Sequence, residues 1–313
     1  MKNSLAITTQ QSYSTHRKSY VTFCNMLNIP PVPSSTQTIC LYAAYLARRL
    51  KYSSVKAYMN GVRLMHLDYG LPNPLENNFA YVNIMRGIRR CLGDSPNRKL
   101  PMTPKLLAKC LSYLNLNKLE DISTWTIMLL AFYGMLRMGS IVCQDVQCDH
   151  SKHLSVNDIT PSPSGFIVVI RFTKTIQFQQ RQLIITLPRL PGSVLCPSQA
   201  MALYLMHRPR GVPNGLMFMR DVTGAPVTTA SIRARIQRVL QLAGFAASEY
   251  GNHSMRRGGA TFAYAMNVDL ETIRVIGDWS NNSNSWKLYV TPTQQRVADA
   301  ISKMAEGANR ELS

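Results

Sequence analysis

The sequence predicts a mainly α-helical protein with a small antiparallel β-sheet, divided into an N-terminal helical domain and a C-terminal mixed α/β domain. Three observations predict it. Apolar residues recur at steps of three and four through most of the chain, which is the helical period. Phe166 to Thr173 and Gln182 to Leu187 are instead rich in β-branched residues and joined by a polar connection, as in a hairpin. The stretch Gly93-Asp94-Ser95-Pro96-Asn97-Arg98-Lys99-Leu100-Pro101 has the composition of an extended linker, and Thr103-Pro104 reads as a new helix start. The expected divisions are therefore residues 1–93, a linker at 94–102, and residues 103–313.

In the first part, a helix over residues 5–28 places Tyr13, Tyr20, Phe23, Cys24 and Leu27 on one side before Pro30-Pro31 stops it. A second starts at Ser34-Ser35, with Ile39, Leu41, Tyr42, Tyr45 and Leu46 apolar and a basic end at Arg48, Arg49 and Lys51. Ser53-Ser54 is expected to cap a third, with Val55, Tyr58, Val62 and Met65 inside and Lys56 and Arg63 outside. A fourth covers about 78–92, with Val82, Ile84, Met85 and Ile88 inside and Arg86, Arg89 and Arg90 outside. Further on, the apolar run from Trp125 to Leu136 ends at Arg137, an arginine emerging from a buried helix. Lys174 falls where the first hairpin strand should end, and helices are expected near 197–207 and 229–243.

Charge narrows the function. Lys and Arg number 35 against 16 Asp and Glu, a net +19, divided as +9 in residues 1–98 and +10 in the remainder. With 46% apolar residues this is a folded basic protein, for which a polyanion is the default partner. In the first part basic residues outnumber acids four to one, which favours phosphate contact by Arg48, Arg49, Lys51, Lys56, Arg63, Arg86, Arg89 and Arg90 over a merely solvated face. No run approaches 18 apolar residues, so no membrane role is expected. The seven cysteines are odd in number and scattered, with no signal peptide before them, and read as reduced thiols of an intracellular protein. Cys143, Cys148, His150 and His153 have zinc-ligand types at close spacing. Cys143, however, continues the apolar side of a helix, and no second pair at knuckle-like spacing accompanies it. A core residue and a polar loop explain the same letters, so no metal is expected.

The chemistry concentrates between residues 253 and 289. If Asn252 caps a helix, His253 and Arg256 lie three apart on one face, and an imidazole and a guanidinium aimed at one place suit a phosphate. Gly277-Asp278-Trp279-Ser280 follows, then Trp286-Lys287-Leu288-Tyr289.

Taken in order, Arg137 in Tyr133-Gly134-Met135-Leu136-Arg137, Lys174 in Phe172-Thr173-Lys174-Thr175, His253 with Arg256, Trp279 and Tyr289 form a set of six. In that set the chain resembles the tyrosine recombinases, and among them most the recombinases of eukaryotic Crypton-type mobile elements. The resemblance covers nearly the whole chain. It implies an N-terminal core-binding domain on double-stranded DNA and a C-terminal catalytic domain. Assembly into a homo-oligomer, a tetramer on DNA, is implied too, with a C-terminal helix at about 293–306 exchanged between protomers, the alternative being that this helix docks on its own catalytic domain. That helix would carry Val297, Ala300, Ile301 and Met304 on its apolar face. A nuclear location follows if the source is eukaryotic.

The reaction implied is strand cleavage and rejoining through a 3′-phosphotyrosyl link, with Tyr289 as nucleophile. Arg137 and Arg256 would clamp the nonbridging oxygens and Lys174 would protonate the departing 5′-oxygen. His253 would share proton transfer or orient the phosphate, and Trp279 would donate its indole N–H. No cofactor and no divalent cation is expected, since arginines stand where two-metal nucleases hold cations and the sequence has no acidic cluster to bind them. Two departures from the family pattern stand out. Ser140 occupies the place, three after the first arginine, where many members carry an acid, and Trp279 to Tyr289 is one residue longer than the commonest bacterial spacing. A recombinase-derived DNA-binding protein without catalysis and a type IB topoisomerase are the alternatives.

Overall fold

The computed structural model describes residues 7–95, 98–149, 152–178, 180–209, 215–281 and 285–290, together with Ile301, Ser302 and Met304. The chain divides into two compact units, Met1–Asn97 and Arg98–Ser313.

The first unit is made of α1 (Ile7–Met26), α2 (Thr36–Ala47), α3 (Tyr52–Asp68) and α4 (Phe79–Leu92). Tyr20, Phe23, Cys24, Ile39, Tyr42, Val55, Met59, Val62, Met65, Met85 and Ile88 form its core. Ser35 caps α2 by accepting from the Thr38 N–H, and Asn78 caps α4 by accepting from the Tyr81 N–H. The expected Ser53-Ser54 cap is not used. The helix α3 begins at Tyr52, so both serines lie in its first turn, and Lys51 holds the cap position without a side-chain bond. Leu27, Leu41 and Val82, assigned to apolar faces by their spacing, are exposed. Periodicity places a residue on a side of a helix but does not say how far the neighbouring helix reaches over it.

The second unit contains α5 (Pro104–Leu111), α6 (Leu119–Tyr133), β1 (Ile159–Ser162), β2 (Gly165–Ile170), β3 (Leu183–Pro188), α7 (Pro197–His207), α8 (Thr229–Leu242), α9 (Ser254–Ala265) and α10 (Leu270–Ile276). Thr103 caps α5 with Pro104 in its first turn. The central element is α6, buried at every position from Asp121 to Phe132 and packed on α7 and α9. The sheet runs β1-β2-β3, all antiparallel, with Ile170 opposite Leu183 and Ile159 opposite Val168. Its first strand was not legible in the sequence, because β1 has one buried residue in four and contains a proline, as an edge strand tolerates.

Four further expectations change. The strand β2 ends at Ile170, so Lys174 lies four residues on, inside the β2–β3 connection. The helix α9 starts at Ser254, which makes His253, not Asn252, the cap-position residue, and its side chain forms no capping bond. Cys143 does not continue a helix: it lies beyond a 3₁₀ turn at Met138–Ser140 and pairs as a β-bridge with Thr228. Cys143 and Cys148 are joined as a disulfide, where all seven cysteines were expected as thiols. Of the expected C-terminal helix at 293–306, Ile301, Ser302 and Met304 are described and helical, with Ile301 and Met304 exposed; the rest lies outside the described residues.

Residues 99–102 are bound to the second unit. The Leu100 N–H donates to the Glu249 carbonyl at 2.7 Å and the Met102 N–H to the Ser254 carbonyl at 2.9 Å. This contact and the seat of α9 on α6 require glycine. A Cβ on Gly258 would stand 1.9 Å from the Met102 carbonyl oxygen, and one on Gly259 2.0 Å from that of Phe132. In an open helix Gly→Ala stabilises by about 1 kcal/mol, but a backbone oxygen cannot rotate away. Gly259→Ala is therefore expected to destabilise the chain by about 1–3 kcal/mol, as overpacking does, seen as a lowered Tm by calorimetry. An unchanged or raised Tm would refute the packing.

Candidate active site

The end of α6 sets the first site residue. Gly134 caps the helix, Met135 takes the left-handed region at φ 47°, and the Leu136 N–H closes back on the Ala131 carbonyl at 3.0 Å. The chain leaves in extended conformation at Arg137, which is half-buried at the head of the 3₁₀ turn. Burial lowers its pKa, and the negative charge of Asp278 opposes that shift.

Arg256 lies in the first turn of α9 and is 2% exposed. One guanidinium nitrogen, Nη1, donates to the Met135 carbonyl at 2.5 Å, and the plane's carbon lies 3.9 Å from the centroid of the Trp279 ring. The other, Nη2, is buried and has no hydrogen-bond partner among the described residues. Burial, and then the charge of Arg137, pull the pKa of this group down to about 9. Two positive charges thus crowd one enclosed place where a donor waits for an acceptor.

His253 precedes Arg256 by three residues, at the mouth of α9. It keeps an exposed edge, yet protein packed round the rest of the ring lowers its pKa, and Arg137, Arg256 and Lys174 lower it further. His253 therefore lies within electrostatic reach of the other three basic groups.

Trp279 is buried and reaches the site because α10 ends at Gly277 and the next residue, Asp278, turns back at φ 51°. A Cβ on Gly277 would fall 1.7 Å from the indole ring, so only glycine lets the ring lie there. Trp279 was expected as an N–H donor; in the structure its face packs against Arg256. Tyr289 closes the site. Its ring centroid is 5.9 Å from that of Trp279, and its carbonyl accepts from the Thr261 hydroxyl of α9 at 2.6 Å.

One participant had no role in the sequence reading. The Asp278 carboxylate is 3% exposed and collects the hairpin connection: it accepts from the Thr173 hydroxyl at 2.5 Å, from the Thr175 hydroxyl, and from the Arg181 guanidinium. Lys174 sits exposed between those two threonines. The available signal was the Thr-Lys-Thr run flanking the lysine, whose two hydroxyls need an acceptor. Ser140, where an acid was looked for, is buried in the turn after Arg137.

In the first unit, Arg48, Arg49, Lys51, Lys56, Arg86, Arg89 and Arg90 are exposed. Lys56 and Arg89 both lie against the Tyr52 ring, at 5.9 and 5.8 Å, which gathers the start of α3 and the end of α4 into one basic patch. Arg63 is half-buried and donates to Asn60 at 2.8 Å, so it is less available than expected.

No family profile matches the chain. The integrase/recombinase XerD homolog of Selenomonas ruminantium is 23% identical over 280 residues, 87% of this chain and 78% of that protein. Among solved structures, the XerH site-specific recombinase bound to difH in a pre-cleavage complex matches with TM-score 0.63 at 16% identity, over 93% of this chain and 78% of that one. The integrase of transposon Tn1549 in complex with transposon right-end DNA matches with TM-score 0.64 at 13% identity, over 97% and 96%. The chain has the fold of a tyrosine recombinase. In this recombinase fold the six residues picked out by order in the sequence fall on five separate elements, yet His253 feels the charges of Arg137, Lys174 and Arg256, and Trp279 touches Arg256 and Tyr289.

The His253 shift sets a sign that can be tested. A base whose folded pKa is lowered contributes stability in full above its ordinary value of 6.5, and that contribution is lost as pH falls from that value down through the lower folded pKa. A titration of the His253 ring by NMR in free protein is expected to give a pKa below 6.5, moved upward but not restored in Lys174→Ala, since burial is the larger cause. A value at or above 6.5 would mean that the four groups do not share a site.

Proposed function

We propose that this chain is a site-specific DNA recombinase of a mobile element, which cuts and rejoins strands through a covalent link to Tyr289. The observation that carries this reading is the buried, partnerless Nη2 of Arg256, with Arg137 beside it and Tyr289 at the same place. A phosphodiester supplies what the site lacks: one negative charge and nonbridging oxygens to accept from both guanidinium groups.

The Tyr289 phenol oxygen attacks phosphorus, forming a P–O bond as the bond to the 5′-oxygen breaks. Lys174 gives that oxygen its proton, and the product is a 3′-phosphotyrosyl link with a free 5′-hydroxyl. Attack by a 5′-hydroxyl on the link reverses the step on the same or a partner strand, so the bond energy is kept and water is not a reactant. His253, held neutral by its surroundings, is able to accept the tyrosine proton. Trp279 keeps Arg256 flat against its face, which fixes the plane of the clamp.

Asp278 acts on positioning. By holding Thr173, Thr175 and Arg181 it fixes the loop that carries Lys174, and its negative charge acts on Arg137. The basic patch of the first unit supplies phosphate contacts on the same DNA, as expected of a core-binding domain, with a tetramer on DNA, exchange of the C-terminal helix, a Crypton-like origin and a nuclear location belonging to the same reading.

The deciding measurement is a denaturing gel of the protein incubated with labelled element-end DNA, including a nicked substrate that traps the link. Wild type is expected to yield a covalent adduct and Tyr289→Phe none. DNA binding that weakens with salt but never gives an adduct on any substrate would instead favour a binding protein without catalysis. In the same assay, Arg256→Ala is expected to slow cleavage by about 10²–10³-fold, as loss of one preorganised donor does. Asp278→Asn, which keeps shape but removes charge, should slow it by at least about tenfold, the order of one lost charge-assisted hydrogen bond, with little loss of DNA affinity. Unchanged cleavage in Asp278→Asn would end its positioning role.

A further inference from the structure

One other group of matched side chains converges in the second unit, and the reaction above does not use it. The sulfurs of Cys143 and Cys148 and a ring nitrogen of His153 all lie within 4.8 Å of one another. We propose that in the reduced chain these three residues bind a zinc ion, which braces the segment between Arg137 and the Lys174 hairpin.

The donor set is the first argument. Two thiolates and an imidazole are soft and borderline ligands that select zinc over magnesium or calcium. A tetrahedral zinc, with Zn–S of about 2.3 Å and Zn–N of about 2.0 Å, sets its ligand atoms roughly 3.5–3.8 Å apart. The two sulfurs are bonded to each other in this structure and part on reduction. The 4.8 Å bound leaves His153 close enough for side-chain rotation to bring it in.

His153 is the second argument, since a disulfide has no use for a third ligand. The ring is mostly buried, and its Nδ1 lies 2.7 Å from the Asp149 carbonyl. An N–H at Nδ1 donating to that carbonyl fixes the tautomer and leaves the lone pair on Nε2, which is how metal-binding histidines are commonly held.

The surroundings give the site its purpose. The backbone of Cys143 is held on both sides: its N–H donates to the Val227 carbonyl at 3.2 Å, and its carbonyl accepts from the Thr229 N–H at 2.8 Å. The His153 carbonyl accepts from Arg171 at 3.2 Å, and the Lys152 ammonium lies 5.8 Å from the Phe172 ring centroid. Arg171 and Phe172 lead directly into Thr173 and Lys174. A metal joining Cys143 to His153 therefore shortens the free chain between the turn that carries Arg137 and the loop that carries Lys174.

The test uses full-length protein, purified with a phosphine reductant and zinc, then desalted and assayed for metal by mass spectrometry. About one zinc per chain is expected in wild type, with none retained by Cys148→Ser, whose sulfur is only partly buried, and a weakened hold in His153→Ala. Cobalt(II) in place of zinc should give wild type the visible bands of a tetrahedral ion with thiolate charge transfer, a readout that does not depend on any variant folding. Removing zinc with a chelator in air should let Cys143 and Cys148 oxidise, seen by peptide mapping. Reduced wild type holding no more zinc than Cys148→Ser, or cobalt spectra without thiolate bands, would overturn the proposal and leave the disulfide as the only bond between these sulfurs.

Discussion

The second unit is built around a charge with too few partners. Removing a guanidinium from water costs several kcal/mol unless its surroundings return the interaction, and Arg256 is the largest of the fully buried side chains described. The Met135 carbonyl, the face of Trp279 and the charge of Asp278 return part of it. Arg137 works in the other direction, because a second cation in the same enclosure adds repulsion. A fold that keeps both arginines there holds a standing deficit of negative charge. Such a deficit is unfavourable in the free protein and becomes favourable when an anion enters, so affinity for a phosphate is stored in the packing itself.

Keeping that arrangement demands close backbone approach, and three glycines provide it. Gly258 and Gly259 let α9 lie against Met102 and against the end of α6, which sets Arg256 beside the Met135 carbonyl. Gly277 lets the indole of Trp279 fold over its own backbone. Three consecutive residues then serve three separate ends: Gly277 makes room, Asp278 turns through the left-handed region and anchors the hairpin loop, and Trp279 covers Arg256. A substitution at any of them disturbs the other two, since they share one turn of chain.

The local features of this fold were legible because local chemistry determines them. Helical period, the helix starts at Ser35 and Thr103 and the β-branched hairpin runs are all read within a few residues. The six candidate residues could be chosen by their order, although order says nothing of distance. What could not be read depends on pairings across the chain. Asp278 meets Thr173 and Arg181 from about a hundred residues away, and Arg63 is occupied by Asn60 in a way that its charge alone does not reveal. Lys174 was displaced from a strand end to a loop because the ladder stops at the pair Ile170 and Leu183, where the polar connection begins to serve Asp278 instead. The joining of Cys143 to Cys148 belongs to the same class, since it follows from a loop path fixed by Val227 and Thr229.

The candidate nucleophile and the candidate acid hang on different supports. Tyr289 is tied to α9 through Thr261, and the turn before it is anchored by buried Trp286, so it shares a rigid element with Arg256. Lys174 depends on the hairpin loop, which is held by the Asp278 carboxylate and by Ile176, buried in the core. In the proposed reaction, attack and departure occur on opposite sides of one phosphorus, so the two supports must be in register to within a fraction of an ångström. Asp278 and Trp279, adjacent in the chain, are where the supports meet: one holds the hairpin and the other touches both Arg256 and Tyr289. In that reaction a change in the hairpin would be felt at Tyr289 through these two adjacent residues, and a bound phosphate would relieve the repulsion between Arg137 and Arg256.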